Sequence, residues 1–308
     1  MALELDARLR AFAAVARHGS ISRAAEALLL SQPAVSRHVA SLERELGVPL
    51  LDRGWRGVTL TEAGRVLADH VLRAEALLSQ ASRHVAALVG ELSGSLSLAA
   101  SGTPANYLLP PLVAAFQDAH PGLAVELAVG TSASVANDVR EHRAEIGFVG
   151  GLAAGPDLRM EPLVEDEIVL VAAPDRFPAT GPVTARQLTD VGWVEREEGS
   201  ATRAVAEAAL ADIGVHPRRR LVLPGWEMVK LAVAGGAGVA ALSRLAIEVE
   251  LRAGTLVVLD VPGWHARRHL SVITARDVDL TPAATRFLNT VASVVPPTGR
   301  VPATTSPA

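Results

Sequence analysis

The feature that most constrains this chain is a stretch of apolar residues between Thr61 and Gly90, spaced alternately four and three apart. No proline interrupts the stretch, Thr61 is a suitable N-cap, and Glu62 would lie in the first turn. A helix this long cannot bury so narrow a stripe by itself. We therefore predict a coiled-coil linker helix that pairs with a second copy of the chain through Leu67, Val71, Ala74, Leu78, Ala81, Val85 and Leu88. The residues also leave open a core helix within the C-terminal part.

The sixty residues before this helix predict three shorter helices. The first ends at Gly19, the second runs from an N-cap at Ser20 to Leu28, and the third follows an N-cap at Ser31, with a proline in its first turn. Apolar residues form one stripe along the third helix, at Val35, Val39, Leu42 and Leu46. The opposite face is polar, as is the face that the second helix of a helix-turn-helix presents to base edges.

The polar face carries residues suited to reading DNA. Gln32, Ser36 and Arg37 project from its N-terminal half, and arginine pairs with guanine as glutamine pairs with adenine. Residues 49–60 contain Arg53 and Arg56 between apolar ends and predict a two-stranded wing. Residues 1–65 hold nine arginines against seven acidic residues in a chain of net charge −4, so the local excess of positive charge is small. Spacing alone therefore also allows a three-helix packing module whose polar face is only solvated.

Between Phe12 and Leu67 the chain reads GSISRAAEALLLSQPAVSRHVASLERELGVPLLDR and then GVTLTEAG. This stretch resembles the winged helix-turn-helix of LysR-type transcriptional regulators, although Leu29 and Leu30 depart from the residues common at the turn. The resemblance implies that the long helix dimerises the DNA-binding heads. It implies that the third helix, the reading helix, enters the major groove with four residues: Gln32, Pro33, Ser36 and Arg37. It places near the DNA backbone Ser22, Arg23, Arg53 and Arg56, with Ser31 at the start of the reading helix.

From Gly94 the pattern changes to short strands that alternate with helices. Strands are predicted around Leu96 and Leu98, at 123–129 and at 145–149, and helices at 108–119 and 135–142. Parallel sheets of this kind bind ligands beyond the carboxyl ends of their strands. Small residues follow those ends at Ser101, Thr103, Thr131, Ser132 and Gly150. With the N–H groups of helix N-termini they suit a small anion, although each hydroxyl alone is equally explained as a helix cap.

A second unit of similar pattern follows. Its predicted strands are 167–173, 219–223, 238–243, 255–259 and 270–274, and its helices are 199–213, 227–233 and 282–291. Two lobes with crossings near Pro162 and Arg267 resemble the LysR-type effector-binding domain, itself similar to type 2 periplasmic binding proteins. The resemblance implies a second wall of the cleft formed by Ser200, Thr202 and Trp226. The phrases TPANYLLPPL and GSATR further resemble the branch that includes regulators of carbon fixation and sulfur assimilation.

The predicted fold class is therefore α/β overall, with a winged helix-turn-helix, a long coiled-coil linker helix and a two-lobed α/β effector domain. The predicted boundaries are 1–60 for the DNA-binding domain, 61–90 for the linker and dimerisation helix, 91–162 with 267–295 for effector lobe I, 163–266 for lobe II, and 296–308 for a disordered tail.

Other classes of function find little support in the residues. The chain has no cysteine, its nine histidines lack paired metal spacing, and no catalytic motif occurs, so we predict no enzyme activity, no metal and no cofactor. No leader or membrane-spanning stretch is recognised, which predicts a cytoplasmic protein that does not bind membranes. The predicted partners are double-stranded promoter DNA, a small and anionic effector, further copies of the chain in a homodimer or homotetramer, and RNA polymerase. A cytoplasmic small-molecule-binding protein or enzyme with an appended helical module is the alternative.

Overall fold

The structure is a computed structural model that describes residues 3, 5–54, 57–88, 94–151, 155–177 and 181–295. The chain divides into two compact units, and the second begins at Gly94. Four of the predictions above lie outside the described part of the chain: the side chains of Arg53 and Leu88, all of Arg56, and the tail at 296–308.

The N-terminal unit begins with the three predicted helices, α1 (Ala7–His18), α2 (Ile21–Leu28) and α3 (Gln32–Leu46). The predicted caps are confirmed, since the Ser20 hydroxyl accepts from the N–H of Arg23 and the Ser31 hydroxyl accepts from that of Ala34. Gly19 ends α1 in the left-handed region at φ 60°, where glycine is favoured. The core of the three helices includes Phe12, Val15, Val35, Val39 and Leu42.

A hairpin and a long helix complete this unit. The hairpin pairs β1 (Leu51–Gly54) with β2 (Gly57–Leu60), which confirms the predicted wing, and α4 (Glu62–Leu88) follows. Thr61 caps α4, because its Oγ1 accepts from the N–H of Gly64 at 3.0 Å.

The C-terminal unit is built on a nine-stranded mixed sheet. Its strands are β3 (Gly94–Ser101), β4 (Leu123–Gly130), β5 (Ile146–Gly150), β6 (Leu158–Ala172), β7 (Gly192–Arg196), β8 (Arg219–Leu223), β9 (Val239–Ser243), β10 (Val257–Val258) and β11 (Arg267–Ala275). Eight of them lie in the order β4-β3-β5-β11-β6-β9-β7-β8, and β10 pairs with β6. Strands β3, β4 and β5 are parallel, as are β7, β8 and β9, whereas β6 and β11 run antiparallel to their neighbours. The fifteen-residue strand β6 therefore joins the two halves of the sheet.

Among the residues that the structure describes, seven α-helices accompany this sheet. They are α5 (Leu109–Ala119), which follows a π-helical turn at Pro104–Leu108, α6 (Ser132–Arg140), α7 (Ala185–Asp190), α8 (Ala201–Asp212), α9 (Trp226–Ala234), α10 (Glu248–Ala253) and α11 (Pro282–Val294). In the described part of the chain, no helix combines the length and the apolar character that crossing a membrane requires.

Several boundaries differ from the prediction. Strand β6 begins at Leu158 rather than at residue 167, and it passes through Pro162, where the pairing with β11 shifts register. Pro162 has no N–H to donate to the neighbouring strand, and the β-bulge beside it lets the strand continue past this missing hydrogen bond. Helix α6 begins three residues early, since Thr131 caps it, and β10 covers two residues of the predicted 255–259. The short elements α7, β7 and α10 were not predicted, because five or six residues show little periodicity.

Candidate DNA-binding surface and ligand cleft

The N-terminal unit presents the polar face of α3 to solvent. Gln32, Pro33 and Arg37 are exposed and Ser36 is half-buried, whereas Val35 and Val39 on the opposite face are fully buried. A capped N-terminus and a buried apolar stripe thus orient the helix so that its first two turns carry accessible polar side chains.

Three of the remaining predicted contacts precede this helix in the chain: Ser22, Arg23 and Ser31. Ser22 and Arg23 lie exposed in the first turn of α2, and Ser31 is exposed while its hydroxyl caps α3. Leu29 lies in the turn between the two helices, where it is 94% exposed and has a left-handed backbone at φ 55°. The structure therefore places an apolar side chain in solvent directly before the reading helix.

The predicted apolar seam of α4 has two parts: the first packs within the N-terminal unit, and the second is more accessible. Val71 is buried within the N-terminal unit, and Leu67 packs against its helical core, so these two side chains already have partners. Ala74, Leu78 and Ala81 are half-buried and Val85 is 62% exposed. The apolar positions left accessible are therefore concentrated towards the C-terminal half of the helix.

The C-terminal unit contains a cleft of about 400 Å³. Most of the predicted effector residues line it, although they come from four separate stretches of chain: Ser101, Thr103, Thr131, Ser132, Ser200, Thr202 and Trp226. Gly150 is not among the residues that line this cleft, and its carbonyl oxygen accepts a hydrogen bond from the Ser132 hydroxyl at 3.0 Å.

Some of these hydroxyls have structural partners. Thr131 Oγ1 accepts from the N–H of Ser134 at 3.1 Å and caps α6, while Ser132 is held by Gly150. No side chain caps the N-terminus of α8, which follows Ser200, and none caps that of α9, which follows Gly225. Three helix N-termini therefore open at the cleft, and their N–H groups favour negative charge.

Sequence reasoning missed the buried arginine Arg268 at the base of the cleft. Its Nε donates to Asp166 at 2.9 Å, and its Nη2 lies 2.8 Å from both the Asp166 carboxylate and Thr103 Oγ1. Asp166 also accepts from the Ser243 hydroxyl. Burial lowers the pKa of Arg268 and raises that of Asp166, and their mutual attraction opposes both shifts. Thr103 and Arg268 are 165 residues apart in sequence, so no local pattern could have joined them.

A second arginine, Arg196 at the end of β7, was also missed. Its Nε and Nη2 donate to both oxygens of Glu197, at 2.8 and 2.6 Å, and its guanidinium lies 4.2 Å from the centre of the Trp226 ring. The hydrogen bonds from Arg196 lower the pKa of Glu197 to about 2. Trp193–Arg196 of β7 are all buried, so no alternation of exposed and buried residues could have singled out Arg196.

An aromatic and charged cluster adjoins the same wall. Tyr107 meets the Trp226 ring edge-on at 5.8 Å, and Lys230 lies 5.7 Å from the centre of the Tyr107 ring. Burial alone would lower the pKa of Lys230, but hydrogen bonds to Glu227 and Glu250 outweigh it and raise that pKa. Lys230 is therefore a charged structural group rather than a candidate nucleophile.

Together the two units define a class: a helix-turn-helix regulator whose second unit encloses a polar cleft for a small ligand. Residues 7–65 match the sequence model of the bacterial regulatory helix-turn-helix protein, lysR family, and residues 90–296 match that of the LysR substrate binding domain. The chain belongs to the LysR family of transcriptional regulators, and it is a regulator rather than an enzyme.

Relatives of known sequence match nearly the whole chain. The uncharacterised HTH-type transcriptional regulator YeiE of Escherichia coli K12 is 39% identical over 282 residues, 92% of this chain and 95% of that protein. A RuBisCO operon transcriptional regulator of Allochromatium vinosum is 36% identical, with 93% and 95% covered. The HTH-type transcriptional regulator CysL of Bacillus subtilis is 33% identical, with 86% and 89% covered. The predicted branch of the family is confirmed by these matches.

Solved structures share the fold. Full-length CbnR complexed with its target DNA has a TM-score of 0.68 at 24% identity and covers 93% of this chain and 98% of its own. The regulatory domain of CcmR from Synechocystis PCC6803, in complex with 2-PG, has a TM-score of 0.61 at 26% identity, covering 66% of this chain and 98% of its own.

Proposed function

We propose that this LysR-type regulator binds promoter DNA through α3 and changes its action on DNA when a small anionic effector enters the cleft. The observation that carries the DNA-binding part is the exposure of Gln32 and Arg37 on a helix whose opposite face is fully buried at Val35 and Val39. The proposed contacts in the major groove are Gln32, Pro33, Ser36 and Arg37, and those near the backbone are Ser22, Arg23, Ser31, Arg53 and Arg56.

The test is fluorescence anisotropy with a duplex from the region upstream of the chain's own gene. Arg37→Ala should weaken binding by about 1–3 kcal/mol and relax preference at one base pair, since a bidentate arginine–guanine pair is worth that much. Arg218→Ala is the matched control. It removes the same charge from an exposed position in the C-terminal unit, whose side chain is 76% exposed, and should leave binding unchanged. Equal affinity of Arg37→Ala and the parent chain for that duplex would refute the reading surface.

We propose that the chain is a dimer through α4, or a tetramer built from such dimers. The proposal rests on the apolar positions Leu78, Ala81 and Val85, which the N-terminal unit does not fully bury. Leu78→Asp should shift sedimentation towards the monomer and weaken binding to a two-half-site duplex. Ser79→Asp adds the same charge at an exposed neighbouring position and should change neither the sedimentation nor the binding to that duplex. Dissociation of both variants alike would contradict the seam.

The effector proposal rests on the cleft itself and places Ser101, Thr103, Thr131, Ser132, Ser200, Thr202 and Trp226 around the ligand. Binding there would favour one arrangement of the two halves of the sheet and so alter DNA bending or recruitment of RNA polymerase. The proposed domain boundaries are those predicted from sequence, 1–60, 61–90, 91–162 with 267–295, and 163–266. Because such a regulator acts on promoter DNA, we propose a cytoplasmic location. A candidate effector that leaves both the footprint and the bend angle unchanged would refute this mechanism.

A further inference from the structure

Two buried hydrogen-bond donors in the cleft wall have no partner. Trp226 is 6% exposed and Arg196 is 8% exposed, and neither the indole Nε1 nor the guanidinium Nη1 is hydrogen-bonded within the described part of the chain. Both residues line the cleft. A buried donor without a hydrogen-bond partner destabilises the folded protein, and such donors are uncommon in native proteins. A hydrogen-bond acceptor bound in the cleft could satisfy both of these donors.

The Trp226 indole nitrogen and the Arg196 guanidinium group both lie beside Gly102. Glu197 engages Nε and Nη2 of Arg196, so Nη1 is the nitrogen left over, and the guanidinium plane rests on the Trp226 ring. A Cβ built on Gly102 would lie 3.2 Å from Trp226 Nε1 and 3.7 Å from Arg196 Nη2. The absence of a side chain at Gly102 therefore leaves the indole and the guanidinium facing the same point.

The charges around the cleft are already compensated. Arg196 is paired with Glu197, Arg268 with Asp166, and Lys230 with both Glu227 and Glu250. Among the described residues at the cleft, no arginine or lysine is left without a carboxylate. The remaining attraction for an anion comes from N–H donors and the N-termini of α6, α8 and α9, which supply partial charge only. A second negative charge on a ligand would therefore meet no free counter-charge.

Resting on the proposed effector role of the cleft, we propose that Trp226 and Arg196 form an acceptor-binding subsite beside Gly102 for a small anion with a single negative charge. A monocarboxylate or a singly charged oxyanion has this chemistry. One of its oxygens accepts from Trp226 Nε1 and Arg196 Nη1, and its charge is met by the helix N-termini and hydroxyls opposite.

Calorimetry of the full chain tests the subsite with acetate and nitrate as singly charged probes, and malonate and sulfate as doubly charged ones. We expect at least one singly charged probe to bind more tightly than either doubly charged probe. Trp226→Phe keeps an aromatic ring but removes the donor, and should weaken binding by about tenfold or more, because a hydrogen bond to a charged group is worth that much. Gly102→Ala should weaken it as well, since the methyl group occupies the acceptor position.

Trp264→Phe is the matched control for loss of an indole. Trp264 Nε1 already donates to the carbonyl oxygen of Ile168 at 2.8 Å, so its replacement should lower the thermal midpoint and leave probe affinity unchanged. Trp226→Phe should lower the midpoint less, because no hydrogen bond is lost. Glu197→Gln frees the charge of Arg196 and should strengthen sulfate binding relative to acetate.

The subsite is refuted if a doubly charged probe binds the parent chain most tightly, if Trp226→Phe and Gly102→Ala bind like the parent, or if no probe binds up to about 50 mM. Anisotropy with the promoter duplex, measured on the same preparations, separates this failure from failure of the regulator proposal. A chain that binds DNA through Arg37 but binds no probe refutes the subsite alone. A chain that binds acetate through Trp226 but no DNA refutes only the proposed DNA-binding surface.

Discussion

Replacing Asp166 with alanine should destabilise the C-terminal unit far more than replacing its neighbour Glu165. Asp166 is 1% exposed and accepts from Arg268 Nε and Nη2 and from Ser243, so the substitution leaves a buried guanidinium with Thr103 as its remaining described partner. Removing one partner of a buried ion pair costs about 3–5 kcal/mol. In a unit of this size each kcal/mol lowers Tm by about 2–4 °C, which gives a drop of roughly 6–20 °C.

Glu165, which precedes Asp166 in β6, provides the control. Glu165 and Arg267 form an ion pair at 3.0 Å one residue away, but their side chains are 54% and 63% exposed. Such surface pairs contribute about 1 kcal/mol or less, so Glu165→Ala should lower Tm by only a few degrees. The assay is thermal unfolding of both variants followed by circular dichroism. A loss for Asp166→Ala no larger than that for Glu165→Ala would refute the view that Arg268 depends on this carboxylate.

Three further substitutions test local features. For Glu197, the folded pKa of about 2 lies below the ordinary glutamate pKa of 4.5, so its stabilisation is present above about pH 4.5 and is lost as pH falls towards 2. Urea unfolding should therefore show the parent chain converging with Glu197→Gln in that window, and a constant difference would contradict it. Leu29→Gly should raise the stability of the N-terminal unit by about 0.5–1 kcal/mol, because relief of the left-handed backbone exceeds the entropy cost of glycine. Chemical denaturation checks this, and a loss would show that Leu29 makes a contact. Gly64→Ala should cost about 1–3 kcal/mol, since its Cβ would lie 2.1 Å from the carbonyl oxygen of Leu50. A parent-like Tm would show that the wing can move away from α4.

The N-terminal unit was predictable almost residue by residue. Its helix boundaries depend on caps and periodicity that are encoded within a few residues, as Ser20, Ser31 and Thr61 show. The C-terminal strands were predicted less well where pairing with distant strands decides their length. Strand β6 continues through Pro162 because β11 tolerates a bulge opposite it, and nothing near Pro162 in the sequence indicates that partner.

The residues of the candidate cleft were likewise predictable only in part from the sequence. Ser101 and Thr131 could be named from sequence, because residues that follow a strand and precede a helix reach the ligand edge of a parallel sheet, and Ser200 could be named from the family resemblance. The two arginines could not be named, since Arg268 reaches Thr103 and Asp166 across more than one hundred residues and Arg196 depends on the stacking of Trp226. Local hydrogen bonding and periodicity thus determined the N-terminal helices and one wall of the cleft, and the family followed from the resemblance of the motif between Phe12 and Leu67. The tertiary fold alone decided which charges are paired and which donors stay unpaired, because those depend on atoms that only the packed sheet brings within 3 Å.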